Sequence, residues 1–279
     1  VIGAGSSFVF STADSKLQEV ENVQLGSGAA VTLTGQAEGF NVTGGGGAET
    51  IITSAGADVI NGGLGNDFIQ AAAGADVING GAGLDTVSYA DVTGVTSHGQ
   101  ADVTGMAVNF SGESVADADI TANVAGLAGA AGIVTGNFDP NARLASGTVQ
   151  YLVATANKGT TADEFAIDTI TSIEGFVGSA LNDYIVLGAD AVTVNAGAGA
   201  DLIFSGTAAD NINAGSGADF VLIGSSSDHG AAETIEGGSG ADTIVFTSVL
   251  GETLVLSANV TGVETVQITD AAGAATGTT

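Results

Sequence analysis

The sequence predicts an all-β fold: a parallel β-roll, or β-helix solenoid, built from nonapeptide repeats, with two rolls and an inserted segment between them. Three observations carry the prediction. Residues 44 to 88 divide without remainder into five nine-residue units, GGGGAETII, TSAGADVIN, GGLGNDFIQ, AAAGADVIN and GGAGLDTVS. Units of the same form return between 178 and 245. The composition, 44% hydrophobic with 45 Gly and a single Pro, suits a packed β protein rather than a disordered acidic chain.

Each nonad of the first roll has Gly fourth, an acid sixth (Glu49, Asp58, Asp67, Asp76, Asp85) and a β-branched residue eighth (Ile51, Ile60, Ile69, Ile78, Val87). Three residues make a short strand that aims the eighth side chain inward and its two neighbours outward. The other six reverse the chain in little space, which calls for glycine where φ is positive or backbones approach closely. One strand and one turn take nine residues, so two nonads complete a coil and turns on the same edge recur every eighteen. Acid then stacks over acid: Glu49 with Asp67, Asp67 with Asp85, and Asp58 with Asp76. Carboxylates and turn carbonyls together form a hard oxygen cage of the kind Ca²⁺ prefers.

On these residues the chain resembles the RTX (repeats-in-toxin) calcium-binding β-roll family of secreted bacterial proteins. The resemblance implies multiple Ca²⁺ ions, with Glu49, Asp58, Asp67, Asp76 and Asp85 as ligands and turn carbonyls completing each site. Glu49 is longer than the consensus Asp by one methylene, which marks its site as the exception. The resemblance also implies type I secretion and folding on calcium after export.

The formal charge is −28, with Lys16, Arg143 and Lys158 the only basic residues. Nucleic acid is thereby excluded as a partner, because phosphate binding runs on Lys and Arg. An anionic membrane surface is disfavoured for the same reason, and no apolar run is long enough to insert in a membrane. Cations are what such a field attracts. With no cysteine there are neither disulfides nor thiolate sites. Metal is then the obvious staple for an exported chain.

Residues 1–43 read as a strand-rich lead-in. Residues 2 to 10 already fit the nonad except that Ser7 replaces the acid, as though the segment were cut from a longer array. The first calcium roll is 44–88. A connecting segment, 89–177, contains the strand-like run 105–111 and an Ala, Gly and Thr-rich insertion, 112–168. The second roll, 178–245, has Asp183, Val192, Asp201, Asp210, Asp219, Glu233 and Asp242 at its sixth positions, and one nonad carries five extra residues around Ser225 to His229. Asp183, Asp201, Asp219 and Asp242 form one ladder of candidate metal ligands; Asp210 and Glu233 stand on the other edge, where Val192 cannot ligate through its side chain. Residues 246–279 hold junction strands and a tail from 270 that has no periodicity and reads as a linker or frayed end.

A second repeat, apolar-x-x-apolar-Glu-x-apolar, occurs as Leu17, Val20, Glu21, Val23; as Ile170, Ile173, Glu174, Phe176; and as Val260, Val263, Glu264, Val266. These copies read as strands that extend the coil at roll junctions. Outward positions of the second roll place Tyr184, Val186, Leu202, Phe204, Phe220 and Leu222 on one face. An apolar sheet face of that size does not stay wet, so it packs on another part of the chain or on a neighbouring copy. His98 and His229 lie near serines, yet no strand-turn-helix nucleophile motif accompanies them. The functional expectation is a non-enzymatic, calcium-binding structural segment of a large exported bacterial protein, of self-assembling surface-layer or adhesin type, at the cell surface. The alternative is the calcium-triggered secretion and folding module of an exported enzyme or toxin. Without calcium, stacked like charges and glycine-rich turns leave the rolls loose.

Overall fold

Nine-residue spacing delivers the strands where the sequence puts them. The computed structural model describes residues 1–9, 20–33, 38–53, 55–72, 74–92, 104–111, 147–154, 164–247, 252–269 and 275–278. The chain forms two compact units, Val1–Asp91 with Ala166–Val177, and Val92–Phe165 with Gly178–Thr279. Lys16, His98, Arg143, Lys158 and most of the 112–168 insertion lie outside the described residues.

In the first unit one sheet runs Ser7–Val9, Ala30–Thr32, Thr50–Ile52, Phe68–Gln70, Thr86–Ser88, Gly175–Val177, each parallel to the next. The facing sheet runs Asn22–Gln24, Asn41–Thr43, Val59–Leu64, Val77–Ala82, Glu164–Thr171, again parallel. Successive nonads therefore alternate between sheets, and pairing joins residues eighteen apart, as Ile51 with Ile69 and Ile60 with Ile78. Ile51, Ile60, Ile69, Ile78 and Val87 point between the sheets and are fully buried. The junction strand at 164–171 enters through Ile170, which pairs with Ile78 and takes the place of the next inward residue.

The second unit repeats the plan. Thr193–Asn195, Asn211–Gly217, Thr234–Gly240 and Val260–Thr261 form one parallel sheet. Asn182–Val186, Leu202–Phe204, Phe220–Ile223, Thr243–Thr247 and Thr265–Thr269 form the other. Its inward residues, Ile185, Val194, Ile203, Ile212, Val221, Ile235 and Ile244, are all buried. Thr104–Asn109 pairs parallel with Asn182–Val186 and antiparallel with Thr148–Ala154.

One expectation needs correction. The tail is not wholly irregular: Ala275–Thr278 adds an antiparallel strand to Thr265–Thr269. An edge strand is recruited by unpaired backbone N–H and C=O groups, which leave no side-chain period to read. The apolar outward strip, expected to pack on another part of the chain or on a neighbouring copy, is buried within the chain. Tyr184, Leu202, Phe220 and Leu222 form a buried cluster with Ala107 and Val245, with Val186 and Phe204 half-buried beside it. Sequence periodicity shows that a face is apolar but not what lies on it.

The turns depend on glycine at particular places. Gly63 has φ 109° and Gly81 φ 108°, and a Cβ at Gly63 would run into the Gly45 carbonyl. Gly46 faces open space and carries no such backbone demand. In calcium-containing buffer, Gly63→Ala should therefore lower unfolding free energy by about 1–3 kcal/mol, and Gly46→Ala by less than about 0.5 kcal/mol. Denaturant titration of the two variants checks the contrast.

Candidate metal centres

Except for Asp183, the second residue of Asn182–Val186, the acid at the sixth place of a nonad stands one residue before its strand. Its carbonyl accepts the first rung of the parallel ladder, as Phe68 N–H donates to the Glu49 carbonyl at 2.9 Å and Thr86 N–H to the Asp67 carbonyl at 2.8 Å. Its own N–H lies outside the strand and finds another acceptor. That acceptor is the carboxylate of the acid one coil further on. Glu49 N–H donates to Asp67 Oδ1 at 2.7 Å, Asp67 N–H to Asp85 Oδ1 at 2.8 Å, and Asp58 N–H to Asp76 Oδ1 at 2.8 Å. In the second unit Asp183 N–H donates to Asp201 Oδ1 at 2.8 Å, Asp201 N–H to Asp219 Oδ1 at 2.8 Å, and Asp219 N–H to Asp242 Oδ1 at 3.0 Å. The same-edge pairs read from the sequence are the pairs the structure forms. Val192 has no carboxylate to offer, but its N–H still donates to Asp210 Oδ1 at 2.9 Å.

In most nonads the second oxygen has no hydrogen-bond partner. Asp58, Asp67, Asp76, Asp85, Asp201, Asp210, Asp219 and Asp242 are buried, and the Oδ2 of each has no hydrogen-bond donor; Glu233 Oε1 is in the same condition. Glu49 and Asp183 differ. Glu49 is held by the N–H groups of Gly28, Gly45 and Gly47, and Asp183 by Met106 N–H, Ser179 N–H and Ser179 Oγ–H. These two start their ladders and are satisfied by protein donors.

Glycine leaves room beside the bare oxygens. A Cβ at Gly62 would strike both Asp67 Oδ2 and the Gly80 carbonyl. Carboxylate oxygen and next-coil carbonyl thus converge on one cradle. A buried carboxylate oxygen without a donor is costly, and Ca²⁺, which takes carboxylate and carbonyl oxygens alike, removes that cost. Among the described residues no three Asp, Glu or His side chains gather into one cluster, so the cradles rely on main-chain carbonyls, as the sequence expects.

Burial also disturbs protonation. Desolvation, then repulsion from Asp168 and Asp58, pushes Asp76 up to about 8. Desolvation, with Asp210 and Asp228 adding repulsion, raises Glu233 to about 8. Asp219 is raised to about 7 and Asp67 to about 6, again chiefly by burial, and Asp201 moves up for the same reason.

Three acids outside the nonads belong to the ladders. Asp76 N–H donates to Asp168 Oδ1 at 2.8 Å, and the Tyr89 hydroxyl donates to Asp168 Oδ2 at 2.8 Å. Asp85 N–H donates to Glu174 Oε2 at 2.9 Å, and Asp242 N–H to Glu264 Oε2 at 2.8 Å. The glutamates are visible in the sequence as the fixed Glu of the junction repeat, a pattern that marks a strand but not a place in a ladder. Asp168 follows Asp76 by 92 residues, with no periodic signal to connect them.

The histidine of the five-residue excess is tied down. His229 Nδ1 lies 3.0 Å from Glu233 Oε2, and its Nε2 accepts Ser257 N–H at 3.4 Å. Ser225 bonds to Asp228 instead, at 3.0 Å, so no Ser-His pair forms there.

A comparison with curated proteins returns no match. The family model for the RTX calcium-binding nonapeptide repeat, four copies, matches residues 43–76, 64–90, 177–210, 196–228 and 230–245. These stretches of the chain carry RTX calcium-binding nonapeptide repeats. RTX repeats bind Ca²⁺ at multiple sites, and the matched stretches are those that carry the acid ladders and bare oxygens.

Raised carboxylate values fix the sign of the pH response. In RTX rolls without calcium the folded state holds protons that the unfolded chain releases. Their contribution is complete below the unfolded value near 3.8 and is lost as pH rises through about 6 to 8. Chelated protein should therefore gain β signal by circular dichroism on titration from pH 9 to pH 5. At pH 7, adding Ca²⁺ should release protons, measurable by pH-stat.

Proposed function

We propose that the chain is a non-catalytic, calcium-dependent structural segment of a large exported bacterial protein of surface-layer or adhesin type, which becomes ordered once it meets extracellular calcium. The observation that carries this reading is the division of labour within each buried acid. One oxygen ties two coils together through a backbone N–H, and the other is left for a cation. Such groups serve cohesion along a solenoid rather than chemistry in a cleft. Glu49, Asp58, Asp67, Asp76, Asp85, Asp183, Asp201, Asp210, Asp219, Glu233 and Asp242 are the residues assigned to hold calcium, with Glu49 and Asp183 also bonded by local donors. When bound, the metal neutralises their charge and joins carboxylate to carbonyl across the coils.

Extracellular calcium modules bind at about 10⁻⁴ to 10⁻³ M. A chain of this affinity remains loose inside a cell and folds on export, which suits passage through a secretion channel. Stacked coils with repeated interfaces also suit extended scaffolds. Self-association through Tyr184, Leu202, Phe220 and Leu222 is disfavoured by their burial, so assembly of copies uses other surfaces.

Electron microscopy and light scattering of the purified chain, with calcium and with EGTA, test the proposal. Ordered polymers on calcium addition, reversed by chelator, are the expected outcome. A chain that folds with calcium yet stays monomeric at every concentration would favour a secretion and folding module of an exported enzyme or toxin.

A further inference from the structure

We infer that the junction segments 170–174 and 260–264 are calcium-binding end caps, each completing one additional ion site where an acid ladder runs out of nonads. The inference rests on the calcium reading of the repeats and extends it to residues outside them.

At the end of the ladder in the first unit stands Asp85, fully buried, with Oδ2 lacking a donor. No further nonad supplies the next carbonyl. Ser172 does: a Cβ at Gly80 would meet both Asp85 Oδ2 and the Ser172 carbonyl. This is the cradle found at Gly62 with Asp67 and the Gly80 carbonyl, moved one coil along. Ser172 reaches it with φ 51°, the only positive φ outside glycine among the described residues. Two residues later, Glu174 accepts the Asp85 N–H. It thereby holds the position that Asp85 holds for Asp67, and brings a second carboxylate to the site.

The second unit repeats the arrangement with different residues. Asp242 is buried and its Oδ2 has no donor. A Cβ at Gly237 would meet Asp242 Oδ2 and the Gly262 carbonyl. Gly262 has φ 64°, and Glu264 accepts the Asp242 N–H. Thr-Ser-Ile-Glu and Thr-Gly-Val-Glu are thus equivalent. In both, a left-handed residue presents a carbonyl, and the Glu two places on replaces the missing acid of the ladder. Glu21 carries the same motif but is exposed, and among the described residues it receives no bond from an acid's N–H.

Glu174→Gln and Glu264→Gln keep an oxygen that can accept the N–H and remove only the charge. Calcium stoichiometry of the full chain, by native mass spectrometry and equilibrium dialysis, should fall by one ion in each variant, or one site should weaken by about tenfold or more. The double variant should lose both ions. Glu21→Gln, at the copy of the motif that caps no acid ladder, should bind as the parent does. If either glutamine variant loses structure, the calcium concentration that restores its circular dichroism reads the same site: an upward shift of about tenfold supports the cap, and an unchanged midpoint overturns it. Full stoichiometry and affinity in both glutamine variants would reduce Glu174 and Glu264 to hydrogen-bond acceptors. A parent chain that binds no calcium would instead overturn the reading of the repeats themselves.

Discussion

A buried carboxylate with one oxygen committed and one oxygen bare is the constraint on which this structure turns. The committed oxygen accepts the N–H that precedes each short strand, a group the parallel ladder cannot serve. Without that acceptor every coil would bury an unsatisfied amide, at a cost of about 1–3 kcal/mol each. The bare oxygen transfers the problem to the acid, where burial raises the proton affinity of Asp76 and Glu233 far above the ordinary carboxylate range. Calcium satisfies the oxygen and neutralises the charge together. On the proposed assignment metal and backbone are coupled: the residue that would hold the ion is the residue that joins consecutive coils.

The rest of the fold follows from short strands. With strands of only three residues in several nonads, one side chain per nonad points between the sheets, as Ile69 and Ile203 do. Such a core is thin, and glycine-rich turns are costly to order. Unlike a domain with a large apolar interior, each unit depends on the turn edges as much as on the centre. A chain with charge −28 and this layout gains most from a medium rich in divalent cations, consistent with the extracellular role proposed.

Period nine made the architecture legible. Inward residues, alternation of sheets and the eighteen-residue partners were all readable because strand geometry admits one inward side chain per x-U-x. Two features of the acids were not readable. Their burial depends on the neighbouring coil, and the donors to them are backbone amides, which leave no mark in sequence. Glu49 and Asp183 accept local N–H and hydroxyl bonds from Gly28, Gly45, Gly47 and Ser179, yet a Cβ at Gly44 or Gly178 would still meet one of their oxygens beside a next-coil carbonyl, as at Gly62. Asp168 was hidden by its long separation from Asp76, and its second oxygen is closed by Tyr89 rather than left bare. The apolar strip of the second unit was recognised as a face needing cover, but pairing with Ala107 arises from a strand far away in sequence.

The most direct test follows the amides that bridge the coils. Hydrogen exchange measured by NMR or mass spectrometry reports on the N–H groups of Glu49, Asp58, Asp67, Asp76, Asp183, Asp201 and Asp219, each of which donates to an acid of the next coil. With calcium these amides should be strongly protected, and at neutral pH in EGTA their protection should collapse together with that of the inward strands. Protection that stays the same after complete removal of calcium would show that the acid ladders stand without a cation, and would contradict the account.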